Sequence, residues 1–395
     1  MSTFHGQIKE IPGISVDRFN EENLNSWVYF LSHCHTDHMV GLSSSVFKDR
    51  LADKGLYIYT SPISKVILTR LHPDLEGSIK ELVLEHPTTV SIGDFRDVSV
   101  TCVPAGHCPG SVMFLFETKT SRVLYTGDFR ISPSDIKKFR CFYDIFDKVK
   151  SIDKVYLDTT FFMRKYTSFP KREHSLFQVC DLISKWISMD KDNVVKIFLV
   201  ANYGYEYLFK EIYNTLKMPV HVDSNKYTFC SMIPELDKCV TTDSEITQIH
   251  CCSLRGTLAC KEFKLENIRM IKVSAYRWEN FDSTNENSYE LDSLGNFYVC
   301  YSTHASYEES MALIEFIKPK EIHVCVERDH PSETVEIYKL VEETLNKIHG
   351  RNKHEAAKEE VKLFEVKELS LEQKEALEEP PCKKKYSGVL DSPPR

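Results

Sequence analysis

Apolar residues in the first 158 positions fall into short runs separated by turn-forming residues, a pattern that predicts strands rather than long helices. The run at residues 27–32 leads directly into a histidine-rich loop, and the run at 98–104 leads into a Gly/Pro turn. Residues 111–117 and 122–126 are spaced as a hairpin. The pattern therefore predicts a β-rich first domain in which polar residues collect where strands end.

From residue 164 onward, apolar positions recur at helical spacing and alternate with short apolar strands. The predicted helices cover residues 173–188, 204–217, 307–317 and 332–349. The predicted strands cover residues 196–200, 220–222, 297–301 and 321–326. This alternation is typical of an α/β module. Residues 351–395 are rich in Glu and Lys and end in a Pro-rich segment, so we predict a disordered tail.

Composition narrows the class of protein. A chain of 395 residues, 42% of them hydrophobic, is long enough for two domains that each bury a core. The first ten residues lack the features of a signal peptide and no apolar run suits a membrane span, so we expect a soluble, intracellular protein. Thirteen irregularly spaced cysteines are expected as free thiols or metal ligands. The net charge of −8 disfavours a broad nucleic-acid surface, although a hydrolase needs only a local basic groove.

Four potential metal ligands occur within six positions of the loop after the strand predicted at 27–32. They are His33, His35, Asp37 and His38. In an extended loop this spacing directs the first two toward one metal ion and the last two toward a second. Imidazole and carboxylate groups suit zinc and similar divalent ions. The alternative, a polar surface loop, explains a lone histidine well but not this run.

Three further residues fit the same plan. His107 lies in the Gly/Pro turn, and Asp128 follows the segment 122–126. Either one alone would be an ordinary turn or capping residue, whereas their order along the chain favours a shared site. Asp17, after an apolar triplet, is a candidate to orient a ligating imidazole.

A second group of potential ligands lies in the α/β module. It comprises two imidazoles and two thiolates, from His221, His250, Cys252 and Cys260. Such a set suits a closed, tetrahedral zinc site with a structural role. Cys251 and Cys230 are alternative ligands, and the competing interpretation is buried thiols beside a surface histidine.

The order of the first motifs resembles the metallo-β-lactamase family. The first four motifs of that fold are matched, in the same order along the chain, by Asp17, the run 33–38, His107 and Asp128. The resemblance implies an α/β fold, the αββα sandwich of the family, with an inserted β-CASP α/β domain. It divides the chain into residues 1–160 (first part of the sandwich), 161–296 (insert), 297–350 (returning part) and 351–395 (tail).

Two later residues resemble the β-CASP nuclease branch of the family. Asp158, in Leu-Asp-Thr-Thr, and His304, in Ser-Thr-His-Ala-Ser, match its first two motifs. The third motif is a histidine in RNA-processing members and a valine in DNA-processing members. It aligns with Val326, while His323 lies three residues earlier as a competitor.

A finer resemblance points to the hairpin-opening DNA nucleases of end-joining repair and covers roughly residues 1–350. The segments that carry it are 32–35, 105–116, 123–130, 203–209 and 241–243. It implies a metal-dependent endonuclease that opens hairpins and trims overhangs, with 5′-exonuclease activity. The alternative is an RNA 3′-end-processing endonuclease of the same family. A small-molecule hydrolase and a catalytically inactive scaffold fit the motifs less well.

The resemblance also implies roles for the site residues. His33, His35 and His107 would hold one metal, Asp37, His38 and His304 a second, with Asp128 bridging. Asp158 would orient His304. The cofactors would be one or two catalytic Zn²⁺ ions, with Mg²⁺ or Mn²⁺ possible at the second position, and one structural Zn²⁺.

The remaining expectations concern residues that donate hydrogen bonds to phosphate, the substrates and partners, and the location of the protein in the cell. Ser302, Thr303 and Ser306 are candidates to donate hydrogen bonds to phosphate, although hydroxyls beside a helix start are more often caps. The resemblance implies DNA hairpins, overhangs and single strands as substrates, with DNA-dependent protein kinase and the end-joining ligase as partners. We expect a nuclear protein, for which Lys383, Lys384 and Lys385 are a weak import signal.

Overall fold

The structure is a computed structural model that describes residues 2–93, 96–201, 203–252, 260, 263–282 and 287–350. The predictions for the tail, including the lysine triplet, lie outside these residues. The first 157 residues form the strands β1 (Ile14–Val16), β2 (Val28–Phe30), β3 (Ile58–Thr60), β4 (Ile79–Glu81), β5 (Thr88–Ile92), β6 (Arg96–Pro104), β7 (Val112–Glu117), β8 (Arg122–Tyr125) and β9 (Lys154–Leu157). The helices among them are α1 (Ser45–Lys54), α2 (Pro62–Leu71) and α3 (Pro133–Ile136).

The rest of the described chain alternates helices and strands. The helices are α4 (Arg172–Ile187), α5 (Glu206–Leu216), α6 (Ser224–Ser231), α7 (Tyr307–Ile317) and α8 (Pro331–His349). The strands are β10 (Val194–Leu199), β11 (Val220–Val222), β12 (Val240–Thr241), β13 (Ile249–Cys251), β14 (Ile268–Ser274), β15 (Tyr289–Leu291), β16 (Phe297–Cys300) and β17 (Glu321–Val324). The helices and strands predicted in this region are confirmed to within a few residues.

Helices α1 and α2 correct the prediction of a purely β-rich start. In α1 only Phe47 and Leu51 are buried, so its apolar periodicity is too weak to recognise in the sequence. Helix α2 begins at Pro62, and the Ser61 hydroxyl caps it by accepting a hydrogen bond from the backbone N–H of Ser64. Both helices were missed because they are short, ten residues each, and bury few apolar side chains.

Two sheets face each other in the first domain. One is parallel, in the order β1-β2-β3-β4, and the other has the order β17-β9-β8-β7-β6-β5. The ring of Phe30 on β2 lies 5.2 Å from that of Phe114 and 5.0 Å from that of Phe116, both on β7. Residues of α1 and α2 share a second core with the outer face of the first sheet, and α7 and α8 bury one apolar face each. This arrangement is the expected αββα sandwich.

The insert has its own seven-stranded sheet, in the order β12-β11-β13-β10-β14-β16-β15, and its own apolar core. Strand β16 pairs with β14 and β15 in this sheet, although the sequence analysis assigns it to the returning part. Sheet pairing therefore favours a boundary after Cys300 rather than before Phe297. The chain rejoins the sandwich when β17 pairs with β9.

Polar loops follow the ends of several strands and meet at one edge of the sandwich, beside the insert. The loops begin after β1, β2, β6, β8, β9 and β16 and carry Asp17, residues 33–38, His107, Asp128, Asp158 and His304, respectively. Rigid strands thus fix the start of each loop. Among the described residues, no helix is long and apolar enough to cross a membrane.

Candidate metal centre

Three imidazoles converge beside one carboxylate. His35 Nδ1 lies 3.0 Å from His33 Nε2 and 3.0 Å from His107 Nε2. Asp128 Oδ2 lies 3.6 Å from His33 Nε2 and 3.6 Å from His107 Nε2. Ligands of a tetrahedral zinc ion with bonds of about 2.0 Å are about 3.3 Å apart. The four side chains therefore fit a single divalent ion.

A second set of ligand atoms lies on the other side of Asp128. His38 Nε2 is 3.4 Å from Asp128 Oδ1 and 3.8 Å from Asp37 Oδ2. His304 Nε2 is 3.9 Å from Asp128 Oδ2. His38 Nε2 is buried and makes no hydrogen bond of normal geometry, which is costly for a polar atom unless it has another partner. A second divalent ion beside Asp128 would supply that partner.

The remaining ring nitrogen of each histidine has a hydrogen-bond partner. These pairs are His33 Nδ1 with Ser32 Oγ (2.9 Å), His35 Nε2 with Tyr203 O (2.9 Å), His38 Nδ1 with Asp17 (2.7 Å), His107 Nδ1 with Thr303 O (3.0 Å) and His304 Nδ1 with Asp158 (2.8 Å). When that nitrogen donates its proton outward, the nitrogen that faces the cluster keeps its lone pair for a metal.

Asp17 lies at the centre of this outer layer. Its carboxylate accepts the N–H of His38, the N–H and hydroxyl of Ser32 and the hydroxyl of Tyr125, at 2.5–2.8 Å. Because the Ser32 hydroxyl donates to Asp17, its oxygen is left to accept from His33. Asp17 has a φ of 57°, an uncommon backbone conformation that these four hydrogen bonds hold in place.

The insert supplies one of these partners through a tight turn. The backbone carbonyl of Tyr203 accepts from His35, and the Tyr203 hydroxyl donates to the carbonyl of Pro109. Gly204, with a φ of 111°, makes the turn possible. Both carboxylate oxygens of buried Glu206 accept the backbone N–H of Gly204, at 2.9 and 3.1 Å. Burial raises the pKa of Glu206 to about 7. The sequence gives no sign of a contact between residues so far apart.

Burial and charge set the protonation of the cluster. Burial lowers the pKa of His33 and His107 well below the usual value, and neighbouring histidines lower it further. Both imidazoles are therefore neutral, as metal ligands must be. Burial opposes the charged form of His38, but Asp128 and Asp17 outweigh it and raise its pKa well above the usual value. Burial also opposes ionisation of Asp128, yet His38 and His304 hold its pKa well below the usual range.

The loop that carries His304 is held by two arginines, Arg130, which is buried, and Arg172, which is half-buried. Arg130 donates to the carbonyl of Ser302 and pairs with Glu309 at 3.1 Å, and Arg172 donates to the carbonyls of Ser302 and Thr303. Arg130 directly follows the Asp128 motif, so one short segment supplies both a carboxylate and the anchor of the His304 loop. Sequence reasoning did not identify either arginine.

The three predicted phosphate donors have different roles. The Ser306 hydroxyl accepts the N–H of Glu309 in a capping box at the start of α7, so the capping interpretation is correct for this residue. The Ser302 hydroxyl donates to the carbonyl of His304. Thr303 is partly exposed and lines the cavity above the cluster. Among the three, Thr303 is therefore the candidate that stays available to a ligand.

A cavity of about 680 Å³ opens onto the cluster. His35, Asp37, His107, Asp128 and His304 lie in its wall, together with aromatic residues of the insert. A neighbouring cavity of about 580 Å³ also reaches Asp37. The metal-facing atoms are thus accessible to a ligand, as a catalytic rather than a purely structural site requires.

The second predicted cluster also comes together. His221 Nδ1 lies 3.1 Å from His250 Nδ1, which lies 3.3 Å from Cys260 Sγ, and Cys252 completes a group whose ligand atoms are all within 4.8 Å of one another. The two histidines are cross-strand neighbours on β11 and β13. The alternative ligands Cys230 and Cys251 lie instead in the apolar core of the insert.

One residue beside this cluster was missed by sequence reasoning. Lys196, on β10 next to His250, is buried, and its Nζ lies 3.7 Å from Cys260 Sγ. A buried ammonium group favours the thiolate form of a neighbouring cysteine, which is the form that binds metal.

The two candidates for the third β-CASP position face different surroundings. Val326 is buried and lines both cavities, and its backbone exchanges two hydrogen bonds with the Thr159 hydroxyl. The His323 ring packs against Tyr156 at 4.8 Å and Phe4 at 5.7 Å, and burial lowers its pKa to about 4. His323 is therefore a packed histidine, which favours the alignment with Val326.

Comparison with known proteins gives a consistent picture. Residues 234–330 match the family model described as DNA repair metallo-beta-lactamase. The chain is 37% identical to Protein artemis of Rattus norvegicus over 81% of its length, and 36% identical to Protein artemis of Homo sapiens over 81%. It is 28% identical to the DNA cross-link repair 1A protein of Homo sapiens. That match covers 80% of this chain and 30% of the cross-link repair protein. The chain spans about half the length of the artemis proteins, 48% in both species. These matches identify the chain as an Artemis-like member of the metallo-β-lactamase family of DNA repair proteins.

Proposed function

We propose that this chain is a metal-dependent DNA nuclease of double-strand-break repair by non-homologous end joining. It would open hairpins and trim overhangs as an endonuclease and act as a 5′-exonuclease. The observation that carries the proposal is the convergence of five imidazoles on Asp128 at the floor of an open cavity. The similarity to artemis proteins supports the same function.

We assign His33, His35 and His107 to the first metal and Asp37, His38 and His304 to the second, with Asp128 between them. Zinc suits both sets, since imidazole and carboxylate groups are zinc ligands. Magnesium or manganese is the alternative at the second position, where Asp37 and Asp128 would supply oxygen ligands. When bound, such ions lower the pKa of water and stabilise negative charge on a phosphodiester.

The chain's own residues would position the reaction. Asp17 and Asp158 hold His38 and His304 in fixed orientations through hydrogen bonds of 2.7 and 2.8 Å. Asp128, buried and ionised, would balance the charge of the ions. Thr303 would donate a hydrogen bond to phosphate from the cavity wall. A rigid outer layer of this kind reduces the reorganisation that catalysis requires.

DNA is the favoured substrate over RNA. The family pattern associates a valine at the third β-CASP position with DNA processing, and Val326 lines the cavity whereas His323 packs against Tyr156 and Phe4. An RNA 3′-end-processing endonuclease is the outcome to be tested against this assignment.

The insert cluster is proposed as a structural zinc site formed by His221, His250, Cys252 and Cys260. Among the residues that the structure describes, the grouped ligands are two imidazoles and two thiol groups, with no carboxylate. Such a donor set is typical of zinc sites that stabilise a fold rather than perform hydrolysis. Lys196 lies beside this site, with its Nζ 3.7 Å from Cys260 Sγ.

Location and partners are proposed from the resemblance. A nuclear protein that acts on broken DNA would meet DNA-dependent protein kinase and the end-joining ligase. The described residues give no direct support for either partner, so co-precipitation of the full chain with each one is the appropriate test.

The function is tested by incubating the purified full chain with 5′-labelled hairpin, 5′-overhang, 3′-overhang and single-stranded DNA, beside RNA of matched sequence. We expect cleavage of DNA in the presence of divalent metal, and loss of cleavage with a chelator. Faster cleavage of the RNA set would favour the alternative function. Failure to cleave any nucleic acid would contradict the proposal.

A further inference from the structure

Tyr276 stands at the junction of the two cavities beside the metal centre. It follows β14 in the insert, and it contributes to the wall of both cavities, as Asp37 does. About half of its surface, 49%, is exposed. Trp27, Phe146, Phe177 and Tyr207 are comparably exposed aromatic residues, but they line neither cavity. The position of Tyr276 therefore distinguishes it from these four.

The neighbours of Tyr276 hold it in place. The Phe161 ring packs against it at 5.0 Å, and the Arg328 guanidinium lies 5.5 Å from the ring centre. The Tyr166 hydroxyl donates to the carbonyl of Tyr276, and the Tyr276 N–H donates to the Ser274 hydroxyl. A ring that is already ordered loses little conformational entropy when a ligand stacks on it.

Tyr276 is also close to the metal-facing residues. Phe161 contacts both Tyr276, at 5.0 Å, and the His304 ring, at 6.1 Å. The Tyr276 and His304 rings are therefore at most about 11 Å apart. Stacked nucleotides of one strand follow each other at about 3.4 Å. A base on Tyr276 would thus lie within about three nucleotides of a phosphodiester at the metal centre.

We propose that Tyr276 forms a stacking subsite for an unpaired nucleobase of the strand that is cleaved. Aromatic stacking accepts any base because every base has a π-face. The subsite would therefore select unpaired nucleotides near the cleaved bond without selecting sequence. The inference rests on the proposed nuclease function and adds to it a residue that recognises single-stranded structure.

The test pairs protein variants with altered DNA. An abasic nucleotide is placed in turn at each of three positions on either side of the cleaved bond of a 5′-labelled overhang substrate. For the wild-type protein, we expect one position to lower kcat/KM by about 5- to 150-fold, the range for one stacked base. Tyr276→Ala should lower kcat/KM on intact DNA by a similar factor and lose its sensitivity to that abasic position.

Matched variants separate stacking from structure. Tyr276→Phe keeps the ring and should behave as wild type, whereas Tyr276→Leu keeps apolar bulk and should behave as Tyr276→Ala. Tyr207→Ala, a similarly exposed tyrosine of the insert that lines neither cavity, should have no effect. A second readout does not need cleavage. 2-Aminopurine is placed at the sensitive position of the DNA, and its fluorescence is expected to be quenched when the DNA binds to Asp128→Asn protein. Adding Tyr276→Leu to the Asp128→Asn protein should abolish this quenching.

The outcomes are distinguishable. If the wild-type chain cleaves DNA but Tyr276→Ala and Tyr276→Leu keep the abasic sensitivity, the stacking subsite is wrong and the proposed function stands. The same conclusion follows if Tyr276→Phe is as impaired as Tyr276→Ala. If the wild-type chain cleaves no DNA, the proposed function and the inference that rests on it are both overturned.

Discussion

The two candidate metal clusters are built from the same kinds of element but differ in chemistry and access. The sandwich cluster, formed by the five histidines His33, His35, His38, His107 and His304 around Asp128, opens into a cavity of about 680 Å³. The insert cluster combines two histidines with two cysteines and, within the described residues, no carboxylate is grouped with them. In both, strand ends or neighbouring strands fix the ligands. The donor set, rather than the local fold, is therefore what distinguishes the two clusters.

The layers behind the ligands also differ. In the sandwich cluster, each imidazole has a hydrogen-bond partner on its outer nitrogen, and partners come from both domains. In the insert cluster, buried Lys196 Nζ lies 3.7 Å from Cys260 Sγ, and the carboxylates of Asp223 and Asp243 act on His221. A carboxylate partner makes an imidazole more basic, whereas an ammonium group stabilises a thiolate.

Asp128→Asn should have the largest effect on chemistry because it removes the charge that lies between both ligand sets. We expect kcat/KM for hairpin DNA to fall by about 1,000-fold or more, with an unchanged circular dichroism spectrum. Asp135→Asn on α3, far less buried, is the matched control and should cleave normally. Near-normal cleavage by a folded Asp128→Asn protein would remove Asp128 from the catalytic assignment.

Cys252→Ser should have the largest effect on stability. Loss of one thiolate is expected to release the insert zinc and to lower the free energy of unfolding by about 3 kcal/mol or more. Cys251→Ser is the control, since it introduces the same change one residue away in the apolar core. That variant should also be less stable but keep its zinc. Equal zinc content in both variants, measured by elemental analysis, would exclude Cys252 as a ligand.

Asp158→Asn should have an intermediate effect. The amide keeps the shape of the side chain but accepts the His304 N–H more weakly than the carboxylate, which now does so at 2.8 Å. Loss of such an orienting group typically costs about 10- to 100-fold in metal affinity or activity. Calorimetric titration of metal-depleted protein with Mn²⁺ would measure it. An affinity equal to that of wild type, together with normal cleavage, would contradict the orienting role.

Gly204→Ala should have the smallest effect of the four. An alanine at a φ of 111° is strained by about 1–3 kcal/mol, and its Cβ would meet His35 atoms at 3.5 Å, an ordinary contact. We expect a drop of about fivefold in affinity for the first metal. Gly295→Ala, also at positive φ but with no neighbouring atoms, is the control for strain alone. An equal effect of both substitutions on metal affinity would argue against the Tyr203–His35 contact.

Much of the sandwich cluster was predictable because its ligands lie in local motifs. The run 33–38 places four ligands in one loop, and His107 and Asp128 each follow a predicted strand, so periodicity and turn residues locate them. The same local signals predicted the hairpin of β7 and β8 and the helix α7.

The remaining features depend on contacts between distant residues. The Tyr203 carbonyl reaches His35 across 168 positions of sequence, and Arg172 reaches Ser302 across 130. No periodicity records such contacts. Strand β16 was predicted as a strand, but its sheet depends on β14 and β15, which the sequence analysis did not identify. Tyr276 is an unremarkable tyrosine until the two cavities are placed beside it.

We infer that the two clusters perform separate tasks, and one measurement tests this directly. Zinc per folded chain and cleavage of 5′-labelled hairpin DNA are measured on the same samples of wild type, Asp128→Asn and Cys252→Ser. We expect Asp128→Asn to keep the insert zinc and lose cleavage, and Cys252→Ser to lose the insert zinc while its remaining folded molecules still cleave. Cleavage that follows the insert zinc and is indifferent to Asp128 would contradict the account.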